Sequence, residues 1–318
     1  MSGVGVHLKL FSKSSNRIAV TAIFFCVGAC AAAAQMPTKD VPAPASTRDS
    51  EKTPTNLAAI ESDLRHESEL HPESAPILYK LGLVLRQENK AKESLQTYTQ
   101  AAQLQKPNAE QLRSVALDYV LLEDYDDAVH WLQIAVSFDP ENTDVLYSLG
   151  RCLYSQNKYP EAAEMFLRVL KIKPDHLKAE ENLGLIYDFA SQPEKAEIAF
   201  RKAAMWAGDE STDEWPFLDL GGFLLDQNRA AEAAPFLRRA ATIATKCTTC
   251  HEKLGRALVA TGDLSGGLKE LEAAALLDPK NPKMHFQLGL AYRAAGNLEK
   301  SRAEFALSQS LYGEHSQD

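Results

Sequence analysis

The sequence predicts an all-α protein built from pairs of helices repeated along the chain. Three observations carry this reading: a Leu-Gly pair that returns at a fixed interval, apolar residues at helical spacing around it, and helix-stopping residues at one place in successive units.

The interval is read from Leu81-Gly82, Leu149-Gly150, Leu183-Gly184, Leu220-Gly221, Leu254-Gly255 and Leu288-Gly289. Successive glycines stand 68, 34, 37, 34 and 34 residues apart, and the double step holds Val115-Ala116 at its midpoint. Seven units therefore tile residues 75–315: 75–108, 109–142, 143–176, 177–210, 214–247, 248–281 and 282–315, with a three-residue insertion near Ser211 to Asp213.

The first helix of each unit places Leu85, Tyr119, Leu153, Tyr187, Leu224, Leu258 or Tyr292 three residues after the small one, which is one helical face. A glycine inside a helix costs about 1 kcal/mol, so its return predicts a neighbouring helix at close range. Asn89, Asn157, Asn228, Gly262 and Gly296 then supply residues suited to a left-handed helix stop. The second helix opens with small residues (Ser94, Ala128, Ala162, Ala196, Ala233, Gly267, Ser301). Bulky ones follow four later (Tyr98, Leu132, Phe166, Phe200, Leu237, Leu271, Phe305). Pro140, Pro174 and Pro279 close their units, and Pro107 falls one residue late. Residues 56–74 read as a lone second helix that caps the first unit.

This arrangement of large-Leu-Gly-Tyr, Ala-Phe-Ala and Pro positions resembles the tetratricopeptide repeat (TPR) family over about three-quarters of the chain. The resemblance implies a right-handed superhelical solenoid in which each helix pair is supported by its neighbours. It also implies a concave groove, lined by first helices, that takes a peptide or partner protein. At the family's groove positions stand Tyr79, Arg113, Leu117, Tyr147, Arg151, Tyr154 and Phe189. Tyr and Arg are the side chains most enriched at binding hot spots. The carboxylate clamp of chaperone-binding relatives has no counterpart here, and of the Asn ladder of TPR glycosyltransferases only Asn182 is present. The expected ligand is an extended or helical peptide with apolar anchors and acidic groups, the latter met by Arg113 and Arg151.

The N-terminus reads as an export signal. Lys9, Lys13 and Arg17 precede a charge-free stretch, Ile18 to Ala34, that ends in Ala32-Ala33-Ala34. Three readings stand: cleavage of residues 1–34, lipidation of Cys30 within the box-like Val27 to Cys30, and an uncleaved anchor. All place the body outside the cytoplasm, in the periplasm or at the outer membrane of a bacterium, and the membrane is met only through this segment. Residues 35–55, rich in Pro, Thr, Ser and Ala, read as a flexible linker. The formal charge is −9 with no basic block, which argues against nucleic-acid binding.

Cys247-Thr248-Thr249-Cys250-His251 matches the pattern that carries covalent haem in c-type cytochromes. On the repeat ruler, however, His251 takes the fourth position of its unit, and His285 takes the same position one unit later with no cysteines before it. Two readings remain open: a structural segment in which Cys247 and Cys250 are a local disulfide, with Thr249 and Glu252 forming a capping box, or a haem site with Met284 or His285 as second ligand. A thiol redox role lacks the strand-helix context such a motif needs.

No phosphate loop, nucleophile elbow or dinucleotide fingerprint is present, and the histidines of His66 to His71 are spaced five apart, wrong for one helical face. No metal site is expected. Glu and Asp read as solvated helix faces. The chain reads as a non-catalytic exported scaffold for envelope, pilus or secretion complexes, with haem-based electron transfer as the alternative.

Overall fold

The structure, a computed structural model, describes residues 56–315. The expected signal segment 1–34 with Cys30, and the linker 35–55, lie outside the described residues. The described residues form fifteen α-helices and no strand. In order these are α1 (Leu57–Leu70), α2 (Ala75–Gln87), α3 (Ala91–Leu104), α4 (Ala109–Leu121), α5 (Tyr125–Phe138), α6 (Thr143–Ser155) and α7 (Tyr159–Ile172). There follow α8 (Leu177–Phe189), α9 (Pro193–Ala207), α10 (Trp215–Asp226), α11 (Ala230–Ile243), α12 (Thr248–Thr261), α13 (Leu264–Leu277), α14 (Pro282–Ala294) and α15 (Leu298–His315). They fall into two compact units, one running to Met165 and the other beginning at Phe166.

Within a pair, the helices are clasped by the small residue that marked the repeat. A Cβ on Gly82 would stand 2.8 Å from the Tyr98 ring, and one on Gly184 2.6 Å from the Phe200 ring. On Gly221 and Gly255 it would stand 2.6 Å from Leu237 and Leu271. The bulky residue of the second helix therefore sits against bare backbone of the first.

Within each unit the pairs stack. In the first, α1 packs on α2, α3 on α4, and α5 on α6; in the second, α9 packs on α10, α11 on α12, and α13 on α14. First helices also touch one another directly, α2 to α4 and α4 to α6 in one unit, α8 to α10, α10 to α12 and α12 to α14 in the other. The core is accordingly strung out in clusters. One joins Leu78, Tyr79, Leu95, Tyr98 and Val115; another joins Phe200, Phe217, Phe223, Leu224, Leu237 and Leu254. Ion pairs tie α1 down: Lys90 to Glu61 at 2.6 Å and Arg65 to Glu93 at 2.6 Å. Lys90, Glu88 and Arg65 hold the Glu61 carboxyl down at about 2.

The turn between the helices of a pair is more uniform than its residue types. Asn89, Asn157, Asn228, Gly262 and Gly296 have positive φ, and so do Glu123 (59°) and Ser191 (54°) at the equivalent place in the remaining units. Neither Glu nor Ser favours that region, and the left-handed conformation costs a residue with a Cβ about 1–2 kcal/mol. Their neighbours on both sides are helices clasped to each other, so tertiary packing overrides local preference.

One polar contact bridges stacked pairs in the first unit. The Ser94 hydroxyl lies 2.8 Å from the Gly82 carbonyl and 2.6 Å from Asp118 Oδ2, and Asp118 is fully buried. One hydroxyl proton cannot serve two acceptors. A neutral Asp118 resolves this by donating to Ser94 Oγ while Ser94 donates to the carbonyl. Burial pushes the Asp118 carboxyl up to about 7, against the downward pull of Ser94 and Arg86.

Two expectations follow. Glu123→Gly should raise stability in urea titration by about 1 kcal/mol, since it removes the left-handed penalty; no gain would mean the turn is unstrained. For Asp118, the folded state binds the proton more tightly than the unfolded one. Its contribution is therefore full below about pH 4 and is lost as pH rises towards 7, with a slope of at most about 1.4 kcal/mol per pH unit. Asp118→Asn should flatten that slope in a pH series of unfolding curves.

Candidate partner-binding surface

Six of the seven residues expected at the groove lie in the first unit, on α2, α4 and α6. Two of them are core side chains. Tyr79 is buried, its ring 5.8 Å from that of Tyr98 and its hydroxyl donating at 2.7 Å to the Gln105 carbonyl at the end of α3. Tyr154 is buried beside the Tyr159 ring. Arg113, Leu117, Tyr147 and Arg151 are half-buried, on the adjoining helices α4 and α6. The Arg113 guanidinium is turned to Glu110, donating through Nε at 3.0 Å, and Glu110 is itself exposed. An exposed i,i+3 pair of this kind is worth no more than about 1 kcal/mol, so an incoming carboxylate can exchange with Glu110. Phe189 belongs to the second unit, exposed at the end of α8.

The acidic residues do not all form solvated faces. Asp118, Glu180, Glu181 and Glu252 are buried. Glu180 is paired with Lys202 at 2.9 Å. Glu252 is 1% exposed; its Oε1 accepts from Arg256 at 3.2 Å and lies 3.7 Å from the Lys283 ammonium. Glu181 is 4% exposed and its Oε1 has no hydrogen-bond partner. Burial, then Asp219, Asp213 and Glu214, push its carboxyl well up from the usual range. Asp118 and Glu180 meet second helices, through Ser94 of α3 and Lys202 of α9, and Glu252 meets the first helix α14 through Lys283, so a 3.6-residue period alone does not separate buried acids from solvated ones.

At the cysteine motif, Cys247 and Cys250 are joined as a disulfide. The helix start also differs from the expected capping box. Cys247, not Thr249, is the N-cap: its sulfur accepts from the Cys250 N–H at 3.1 Å, α12 begins at Thr248, and Glu252 turns inward. The cap at Cys247 falls two residues earlier than the Thr-x-x-Glu pattern suggests. His251 Nδ1 faces Glu270 Oε2 at 2.7 Å and Nε2 faces the Thr245 carbonyl at 3.2 Å. His285 repeats the arrangement with Glu304 at 2.8 Å and the Pro279 carbonyl at 2.9 Å. The histidine is thus a structural element of two successive units, with or without cysteines. Covalent haem would need both sulfurs reduced and a free imidazole nitrogen. Here the sulfurs are bonded to each other, Cys250 is fully buried, and both His251 nitrogens are engaged.

Models of the tetratricopeptide repeat match residues 75–108, 116–176 and 252–313. With the helix pairs above, this identifies the chain as a tetratricopeptide-repeat protein, an architecture of protein–protein interaction scaffolds. Two known proteins similar to it are anaphase-promoting complex subunit 3 of Schizosaccharomyces pombe and a DnaJ homolog subfamily C member 7 homolog of Dictyostelium discoideum. The first is 21% identical over 61% of this chain and 29% of its own length, the second 25% identical over 51% and 33%. The chain thus spans about a third of each of these relatives. Among solved structures, PilW, a type IV pilus biogenesis factor, superposes with a TM-score of 0.56 at 19% identity, over 64% of this chain and 94% of PilW. YrrB, a TPR protein with an unusual peptide-binding site, superposes with a TM-score of 0.52 at 20% identity, over 58% of this chain and 94% of YrrB. At these identities the likeness is one of fold.

Proposed function

We propose that the protein is a non-catalytic, exported scaffold whose first helices hold a segment of a partner protein in the assembly of a cell-envelope, pilus or secretion complex. The observation that carries the binding reading is the row of Arg113, Leu117, Tyr147 and Arg151, left half-buried on adjoining first helices. Two guanidinium groups flank apolar and aromatic surface there. That suits a peptide with apolar anchors and carboxylates, and the carboxylate paired with Arg113, Glu110, is exposed. Export rests on the basic-then-apolar residues 1–34, with Cys30 as the lipidated residue if the segment is processed as a lipoprotein. The likeness in fold to a pilus biogenesis factor is compatible with an envelope assembly.

The test is co-purification with mass spectrometry to name the partner, followed by titration of that partner against Arg113→Glu with Arg151→Glu. The double variant should weaken binding at least tenfold, a loss of about 1.4 kcal/mol or more. Unchanged affinity in a folded variant rejects the reading.

A further inference from the structure

The second unit carries a different electrostatic feature on the same class of helix face. Glu181 stands on α8 at the fifth position of its unit, where other units place Tyr79, Arg113, Tyr147, Leu218, Phe286 and a second buried acid, Glu252, which unlike Glu181 is paired with Arg256. Its carboxyl is nine-tenths buried, one oxygen has no partner, and the groups that bear on it are mostly of its own sign: Asp219 on α10, Asp213 and Glu214 just before α10, against Lys178 on α8. Asp213 belongs to the insertion that breaks the 34-residue period. The inserted turn is ordered, with Asp213 Oδ1 accepting from the Trp215 N–H at 3.1 Å and the Asp213 N–H donating to Ser211 Oγ at 3.1 Å. Lys253 of α12 lies across Gly222, where a Cβ would stand 2.8 Å from its ammonium, and it offsets Asp219 in part. The feature is therefore a buried carboxyl group short of a donor and set among acids, one of which, Asp213, the insertion contributes.

We propose that Glu181, Asp219 and Asp213 form a site for a single basic side chain, arginine or lysine, of an extended peptide whose neighbouring apolar residue rests on Phe189. This deepens the scaffold reading and rests on it.

A cationic side chain fits better than a metal ion, because among the described residues no three His, Cys, Asp or Glu groups converge closely enough to hold one. A guanidinium is broad enough to bridge separated carboxylates with its five donors. It would supply the donor that Glu181 Oε1 lacks and relieve repulsion among the acids. Glu181, Leu185 and Phe189 follow at every fourth position of α8 and so share a face, with Leu185 half-buried and Phe189 exposed. Eight residues of helix span ~12 Å, and an extended peptide covers that in roughly four residues. The ligand is thus a segment with a basic residue and an apolar residue about four positions apart, the apolar one over Leu185 and Phe189.

The experiment uses the protein with two fluorescein-labelled octapeptides, one carrying Arg and Phe four residues apart in an Ala-Ser background, the other with Glu in place of that Arg. Anisotropy titrations should show the Arg peptide binding at least tenfold more tightly. Glu181→Gln with Asp219→Asn should abolish the preference while the melting temperature stays level or rises, since like charges are removed. A residue with only a packing role would lower it. Burial, with Asp213 adding to it and Lys253 opposing, pushes the Asp219 carboxyl up to about 7. Asp213, Glu214, Lys178 and Lys253 are the charged groups facing the site, and the Arg-peptide affinity should rise as pH passes from about 6 to 8. Equal binding of the two peptides, no binding of either, or a preference that survives in the double variant overturns the proposal. The Arg113→Glu, Arg151→Glu variant should keep the Arg-peptide preference. If it also keeps its natural partner, the first-unit reading fails while this one stands.

Discussion

The structure depends on a close approach: bare backbone at the small position of each first helix receives a bulky side chain from the second. Gly82 with Tyr98, Gly184 with Phe200, Gly221 with Leu237 and Gly255 with Leu271 are four instances of one contact. It commits the second helix to its own pair and to the first helix of the next one. What remains of the first helices is a set of adjoining faces that carry half-buried or exposed residues such as Arg113, Leu117, Tyr147, Arg151, Leu185 and Phe189. Binding surface is thus a by-product of how the pairs are built, and side chains that differ from unit to unit can vary there without disturbing the clasp.

That division explains what was legible in the sequence. Residues that make the clasp recur at a fixed interval, so helix order, helix type and most of the left-handed turns could be read before any coordinates. Glu123 and Ser191 could not be recognised as left-handed by residue type, because their conformation is imposed by helices already clasped on either side. Position in the repeat was the signal that would have found them.

The candidate surface was less legible, for a physical reason. Groove positions are those the repeat leaves unconstrained, so periodicity cannot tell a ligand-facing tyrosine from one that turns inward, as Tyr79 does to reach the Gln105 carbonyl. Acidic residues pose the same ambiguity. Glu181 and Glu252 have helical spacing indistinguishable from that of solvated carboxylates, yet both are buried between first helices. Glu181 shares its place in the repeat with Glu252 as well as with Tyr79, Arg113, Tyr147, Leu218 and Phe286, so the hint that set it apart was the insertion that follows its unit. The Cys-Thr-Thr-Cys-His segment shows the reverse case, a motif specific in isolation that becomes a capped helix start once His251 and His285 adopt the same contacts.

The central claim is that first helices hold the partner while second helices hold the fold. Amide hydrogen exchange, compared with and without the partner found by co-purification, tests it directly. The account predicts that added protection concentrates on α4 and α6, and on α8 and α10 where the partner carries a basic segment, with α5, α9 and α11 exchanging as before. Protection centred on the second helices would contradict it.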